Sequence, residues 1–114
     1  MEWVEIISLR SYANISIEFI DALLKHFGNF DFPKDLVELK IYQHSVVETD
    51  LSIHIYWKSE QGSQHKSSLG LKLSYALKDL GLLNHSVWVE TAAVENNSGN
   101  ERMGKTAWGQ KNRK

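Results

Sequence analysis

Cysteine is absent from the 114 residues of this chain. This excludes disulfide bonds, thiolate metal ligands and cysteine nucleophiles. No apolar run approaches the ~20 residues that a membrane-spanning helix needs. The first ten residues, MEWVEIISLR, lack the basic-then-apolar pattern of a signal peptide. With 42% hydrophobic and 24% charged residues, the composition is that of a globular domain. We therefore predict a soluble cytoplasmic protein with no membrane partner.

Net charge is also nearly absent, at −1, but it is unevenly distributed. Residues 1–90 hold 8 basic and 12 acidic side chains, whereas residues 91–114 hold 5 basic and 2 acidic ones. The second segment is rich in Asn, Gly and Lys and has too few apolar side chains to fold alone. We predict a domain over residues 1–90 and a basic tail over residues 91–114. The tail is expected to be flexible or to dock on a partner subunit, where Trp108 offers an aromatic anchor.

Six regular elements are predicted along the domain. Four segments rich in β-branched and aromatic residues predict strands, at about 3–9, 37–46, 51–58 and 85–90. Two segments with apolar residues at helical spacing predict helices, at 16–28 and 67–81. Ser16 is the expected N-cap of the first helix, and Gly28 and Gly81 are the expected left-handed stops. The order βαββαβ predicts a ferredoxin-like α+β fold, with a four-stranded antiparallel sheet and both helices on one face.

The hairpin IYQHSVVETDLSIHIYW, residues 41–57, predicts what lies on the other face. Side chains alternate across a strand, so the aliphatic positions, Val37 among them, should cover the helices. The opposite face then carries five aromatic or imidazole side chains: Tyr42, His44, His54, Tyr56 and Trp88. A three-residue loop would pair His44 with His54 and Tyr42 with Tyr56. A five-residue loop would keep the faces but shift the pairs by two.

Tyr, His and Trp each combine an apolar body with a polar tip, which suits a partly buried interface or pocket. We expect a second copy of the chain to cover this face. His44 and His54 are the candidate catalytic acid and base, because histidine titrates near neutral pH. Cross-strand packing of these histidines with the tyrosines is the structural alternative. Tyr42, Tyr56 and Trp88 would line a substrate pocket, and Arg10 would bind an anionic group.

Metal binding by the two histidines with Glu38 or Glu90 has no supporting spacing signature. We therefore predict neither a metal nor a cofactor. An RNA-binding domain would share the element order. However, LSIHIYWK lacks the glycine and aromatic spacing of the RNA-binding signature, and residues 1–90 are net acidic. We predict no nucleic-acid partner.

The βαββαβ layout, the short capped helices and the segment SSLGLKLSYALKDLGLLNHSVWVE resemble the dimeric α+β barrel superfamily over residues 3–90. The chain is most similar there to small antibiotic-biosynthesis-monooxygenase-like and stress-response barrel proteins. The resemblance implies two ferredoxin-like sheets packed face to face, with a pocket beside each sheet. No catalytic residue of that group matches a position here. Two functions follow as expectations. One is a cofactor-independent, monooxygenase-like or isomerase-like enzyme acting on a small aromatic or hydrophobic metabolite. The other is a non-catalytic dimeric ligand-binding or assembly module.

Overall fold

The computed structural model describes residues 2–29, 32–60 and 65–96. Its elements follow the predicted order: β1 (Glu2–Ser11), α1 (Ile17–Gly28), β2 (Leu36–Gln43), β3 (Asp50–Lys58), α2 (Ser68–Leu77) and β4 (Gly81–Val89). Residues 91–96 follow β4 as exposed, irregular chain. The rest of the predicted tail, including Trp108, lies outside the described residues.

The four strands form one sheet in the order β2-β3-β1-β4, and every neighbouring pair is antiparallel. This is the ferredoxin-like arrangement, so the predicted α+β fold is confirmed. Each helix connects two strands that run in the same direction with another strand between them. Neither described helix is long and apolar enough to cross a membrane.

The core lies between the helices and one side of the sheet, which we call the helix face. The strands contribute core residues that are register partners on β1 and β3, such as Ile7 and Ile53. Trp3 and Trp57 stack at 5.2 Å between ring centroids at one end of this face. The buried apolar residues of the core cluster come from both strands and both helices: Trp3, Ile7, Leu23, Phe27, Ile53, Ile55, Trp57, Leu69, Leu73 and Leu77.

Serine residues begin both helices. Ser16 accepts a hydrogen bond from the Phe19 amide, as predicted, and Ser67 accepts one from the Gly70 amide. Of the two predicted glycine stops, Gly28 does end its helix, although without a left-handed conformation, and Gly81 does not. Helix α1 ends at Gly28, but its cap, Asn29, has ordinary right-handed geometry. Helix α2 ends at Leu77, and Gly81 instead begins β4, where a β-carbon would overlap the carbonyl group of Arg10.

The other side of the sheet, which we call the open face, consists of rows of residues that run across the strands. Glu2 and Lys58 pair at one end of this face, and four longer rows follow. In the order β4, β1, β3, β2, these rows are Trp88–Val4–Tyr56–Glu38, Ser86–Ile6–His54–Lys40, Asn84–Ser8–Ser52–Tyr42, and Leu82–Arg10–Asp50. The last row is extended by His44, whose amide donates to the Asp50 carbonyl. The predicted parity of β3 and β4 is therefore confirmed.

The predicted parity fails at the start of β2. The register shifts between Leu36 and Glu38, so that Leu36 pairs with Trp57 and packs against the core. Val37, which alternation assigned to the core, is 60% exposed. An irregularity that adds one residue to a strand changes the face of the residues before it, and this explains the error.

Candidate ligand site on the open face

The register of the hairpin separates the two predicted pairs. Tyr42 lies opposite Ser52, and His54 lies opposite Lys40. Relative to the pairing for a three-residue loop, the partners are shifted by four residues, because residues 44–49 all belong to the connection. His44 and His54 are therefore four register positions apart, which is about 13 Å along a strand. The structure does not bring the two histidines together.

His44 has a defined role in the connection. Its Nδ1 accepts hydrogen bonds from the amides of Val46 and Val47, at 3.0 and 2.9 Å. A ring nitrogen that accepts two amide protons carries no proton of its own, so the neutral ring is protonated at Nε2. The side chain thus holds the loop while its other nitrogen remains a donor. The assignment of His44 as a catalytic residue stays a prediction.

His54 belongs to a chain of hydrogen bonds along the open face. Its Nε2 lies 2.9 Å from the Ser52 hydroxyl, and its Nδ1 lies 3.3 Å from the Tyr56 hydroxyl. The ring of Tyr42 packs edge-on against the imidazole, with centroids 4.7 Å apart. Burial lowers the pKa of His54, because desolvation disfavours the imidazolium. The neutral imidazole is therefore the principal form at neutral pH.

The two tyrosines extend this chain. A hydrogen bond with Tyr42, and then burial, raises the pKa of Tyr56, so the Tyr56 hydroxyl keeps its proton at neutral pH. The Lys40 ammonium lies 5.8 Å from the centre of the Tyr56 ring and 3.7 Å from a carboxylate oxygen of Glu38. The predicted cross-strand packing of histidine and tyrosine is thus present, although its partners are shifted.

A groove of about 550 Å³ lies beside this chain, at the end of the sheet where the last two rows meet the β2–β3 connection. Of the predicted site residues, Arg10, Tyr42 and His44 line it, whereas His54, Tyr56 and Trp88 do not. The lining also includes open-face residues that sequence reasoning did not select: Ser8, Asp50, Ser52, Leu82 and Asn84. Neighbouring strand residues supply the rest of it: Leu9, Gln43, Leu51 and Leu83.

Arg10 and Asp50 form a bidentate ion pair in the groove. The Arg10 Nε and Nη2 atoms donate to the two carboxylate oxygens, both at 2.9 Å. The hydrogen bonds from Arg10, together with its charge, lower the pKa of Asp50. Asp50 thereby fixes the orientation of the guanidinium. Within the described part of the chain, the remaining Nη1 donors have no hydrogen-bond partner.

Trp88 lies at the far end of the open face. It is 59% exposed, and its indole nitrogen donates to the Ser86 hydroxyl at 2.8 Å. Its row also contains Val4 and Tyr56. Because β1 lies between β3 and β4, Trp88 is about 10 Å from the backbone of Tyr56. Trp88 shares the face with the groove but does not belong to its wall.

A second polar cluster, which sequence reasoning missed, lies on the helix face around Glu5. This carboxylate has no solvent exposure. It accepts hydrogen bonds from the Trp57 indole, the Ser67 amide and the Ser67 hydroxyl, and it lies 2.9 Å from Nε2 of His85. Glu5 lies on the buried side of β1, between Trp3 and Ile7. The partners, however, are far apart in sequence, so no local signal identified them.

His85 connects this cluster to the middle of α2. Its Nδ1 lies 3.1 Å from the Ser74 hydroxyl. Gly70, one turn before Ser74, provides the space, because a β-carbon there would overlap a carboxylate oxygen of Glu5 and lie 2.9 Å from the imidazole of His85. With every polar atom of the carboxylate satisfied and enclosed, the cluster holds α2 against the sheet.

No set of three or more His, Asp or Glu side chains that could bind a metal ion occurs in residues 2–29, 32–60 and 65–96. The fold and the open face define a ferredoxin-like α+β domain with a polar and aromatic groove on its uncovered side. No family model matches the chain, and searches of curated proteins and of solved structures also give no match. Because this fold occurs with many unrelated activities, the fold alone does not identify a function, and the chemistry of the groove must do so.

Proposed function

We propose that the chain binds a small aromatic or hydrophobic metabolite in the open-face groove and transfers a proton from it without a cofactor. The observation that supports this proposal is the neutral His54 imidazole, held between Ser52 and Tyr56 beside a groove of about 550 Å³. A neutral imidazole that is separated from a bound molecule by a single hydroxyl group can act as a general base through that hydroxyl. Removal of a proton from carbon is a step that isomerase-like and cofactor-independent monooxygenase-like reactions share.

The lining of the groove favours a ligand with an apolar body and one polar or anionic end. Leu82 and Tyr42 supply apolar surface, and both are substantially exposed in the single chain. Arg10, oriented by Asp50, supplies donors at the Nη1 atom. A pre-oriented guanidinium loses less entropy when it binds a carboxylate than a free one does.

Binding can be tested with 2-naphthol and 2-naphthoate, which share an aromatic body but differ in charge. Both should shift the amide NMR signals of Ser8, Ser52 and Asn84 and leave those of α1 unchanged. Arg10→Gln should weaken 2-naphthoate about tenfold, since a charge-assisted hydrogen bond contributes about 1.5 kcal/mol or more. It should leave 2-naphthol unaffected. The absence of shifts at the groove with both compounds would contradict the proposed site.

Proton transfer can be tested with 2-tetralone, an aromatic ketone with an acidic CH₂ group. In D₂O the protein should accelerate exchange of these protons above the buffer rate, as followed by NMR. His54→Gln should abolish the acceleration, whereas His44→Gln should reduce it far less, because His44 lies four register positions away. Equal exchange by the wild type and His54→Gln would contradict the enzymatic proposal.

A non-catalytic ligand-binding or assembly module is the second candidate, and the separation of His44 from His54 favours it. Because His44 does not lie beside His54, the groove has a base but no partner histidine to act as acid. This candidate predicts that 2-naphthol and 2-naphthoate bind, but that the protein does not accelerate the exchange of the 2-tetralone protons.

We also propose that a second copy of the chain covers the open face. Trp88 and Leu82 are 59% and 64% exposed there, and large exposed apolar patches commonly mark interfaces. Two neutral ion pairs lie on this face, Arg10 with Asp50 and Lys40 with Glu38, which limits the repulsion between two copies. Such a dimer would enclose the groove.

A further inference from the structure

We propose that Ser52 is a nucleophile, activated by His54, that accepts an acyl group from an activated ester bound in the groove. The inference rests on the proposed role of the groove as the ligand site. It adds a covalent step and a residue that alternation alone assigned to an ordinary polar position on β3.

The geometry carries the assignment. A nucleophilic serine requires a base within hydrogen-bonding distance and a third group that orients the base. Here the Ser52 hydroxyl lies 2.9 Å from Nε2 of His54, and the opposite ring nitrogen lies 3.3 Å from the Tyr56 hydroxyl. Ser52 itself lines the groove, whereas His54 lies behind it. Ser52 is therefore the neighbour of His54 on β3 that a bound molecule can contact.

The hydrogen positions are consistent along the chain. The Tyr56 hydroxyl lies 3.3 Å from Nδ1 of His54, and its oxygen can accept a hydrogen bond from a proton on that nitrogen. That tautomer leaves the Nε2 lone pair directed at Ser52, which donates its hydroxyl proton. Tyr56 is thus a positioning residue that selects the tautomer in which His54 acts as a base.

The reaction balances with water as the only further reagent. The Ser52 oxygen attacks the ester carbonyl carbon while its proton passes to Nε2 of His54. The bond from the carbonyl carbon to the leaving oxygen then breaks, and the alcohol departs with the proton from His54. Water then attacks the carbonyl carbon of the acyl-serine and gives a proton to His54. The bond from that carbon to the Ser52 oxygen breaks, the oxygen takes the proton back from His54, and the carboxylic acid leaves.

The open face also contains a matched control. Ser86 lies on the same face, in the row of His54, but its hydroxyl accepts from the Trp88 indole at 2.8 Å. The residue type and the face of the sheet are the same, but Ser86 lies on the edge strand β4, outside the groove, and makes no hydrogen bond to any histidine that the structure describes. The part of the difference in reactivity between Ser52 and Ser86 that His54→Gln removes therefore reports on His54.

The first experiment treats the full chain with an alkyl fluorophosphonate and with 4-nitrophenyl acetate, and maps modified serines by mass spectrometry. Ser52 should be modified, and His54→Gln should slow the modification about a hundredfold, the contribution typical of a general base. Tyr56→Phe should slow the modification of Ser52 less, and the rate should still depend on pH through the titration of His54. Ser86→Ala should have no effect.

The second experiment uses the absence of cysteine, which makes any introduced thiol unique. Ser52→Cys should react with iodoacetamide about tenfold faster than Ser86→Cys at pH 7, because His54 promotes thiolate formation. Adding His54→Gln should remove the difference. Alkylation of a thiol does not require acyl transfer to Ser52. The experiment therefore remains informative if removal of the hydroxyl by Ser52→Ala prevents folding.

Modification of Ser52 at the rate of Ser86, together with equal alkylation of the two thiols, would overturn the inference. Binding of 2-naphthoate separates this failure from failure of the proposed function. Binding at the groove with an unreactive Ser52 refutes the nucleophile alone. Loss of both refutes the ligand site as well.

Discussion

At the scale of single residues, we expect substitution of Glu5 to lower the free energy of unfolding more than substitution of an exposed acidic residue. Its carboxylate is fully enclosed and accepts hydrogen bonds from Trp57 and from two groups of Ser67. A buried carboxyl group is tolerated only when its polar atoms are satisfied in this way. Glu5→Gln replaces one acceptor oxygen with a donor and leaves a buried N–H group without a partner.

We expect Glu5→Gln to lower the free energy of unfolding by about 3 kcal/mol, measured by urea denaturation. Glu38→Gln is the matched control. Its carboxylate is half exposed and pairs with Lys40 at 3.7 Å, so the change should stay within about 0.5 kcal/mol. Equal effects of the two substitutions would show that the Glu5 cluster does not hold α2 against the sheet.

His54 gives a prediction for pH. Burial lowers its pKa in the folded protein below the value of about 6.5 in an unfolded chain. As the pH falls through 6.5, the unfolded chain therefore binds a proton that the folded chain does not. The contribution of His54 to the free energy of unfolding should decrease below pH 6.5 and level off below the folded pKa.

The NMR titration of the His54 ring should show a midpoint below 6.5, and His54→Gln should flatten this part of the dependence of stability on pH. A midpoint at or above 6.5 would contradict burial as the controlling influence. It would also weaken the assignment of His54 as a base that is neutral at pH 7.

At the scale of the elements, two helical glycines that look alike in sequence should respond in opposite ways to alanine. Gly28→Ala adds a β-carbon where nothing lies within 4 Å, so helix propensity should raise stability by about 0.5 kcal/mol or more. Gly70→Ala forces a β-carbon into the Glu5 carboxylate and the His85 ring. Overpacking of this kind should lower stability by about 1–3 kcal/mol. Denaturation of both variants checks the contrast, and stabilisation by Gly70→Ala would contradict the close packing of α2.

The elements also show what the sequence can and cannot predict. Alternation correctly placed His54, Tyr56 and Trp88 on the open face, because a period of two is a local property of a strand. It could not place Tyr42 opposite Ser52, because register depends on the whole 44–49 connection, which His44 holds through its ring nitrogen. The Ser52–His54–Tyr56 chain lies within one strand at spacing two and was visible in LSIHIYW. The groove was not, since its walls combine residues of all four strands.

The end of α2 illustrates the same limit. The helical pattern continues through Leu80, and a glycine follows, as expected of a helix stop. The structure instead ends α2 at Leu77 and begins β4 at Gly81, which pairs with Ser11 of β1. Tertiary pairing with β1 decides this boundary, and a single-chain pattern does not contain it.

At the scale of the whole molecule, the proposed dimer determines whether the groove is an open cleft or an enclosed site. The helices cover one side of the sheet, whereas the open face leaves Trp88, Leu82 and Tyr42 between 45% and 64% exposed. If two copies pack through these faces, an acidic side chain at Trp88 would be buried against apolar surface, and the cost of desolvating it would separate the subunits.

We therefore expect the wild type to elute in light-scattering chromatography with twice the 13.1 kDa mass of the chain, and Trp88→Glu to elute as a monomer. Tyr75→Glu is the control, because Tyr75 is 72% exposed on α2, away from the open face, and should leave the mass unchanged. A wild-type monomer at high concentration would refute the dimer. The groove would then be open to solvent, and 2-naphthoate should bind the wild type and Trp88→Glu equally.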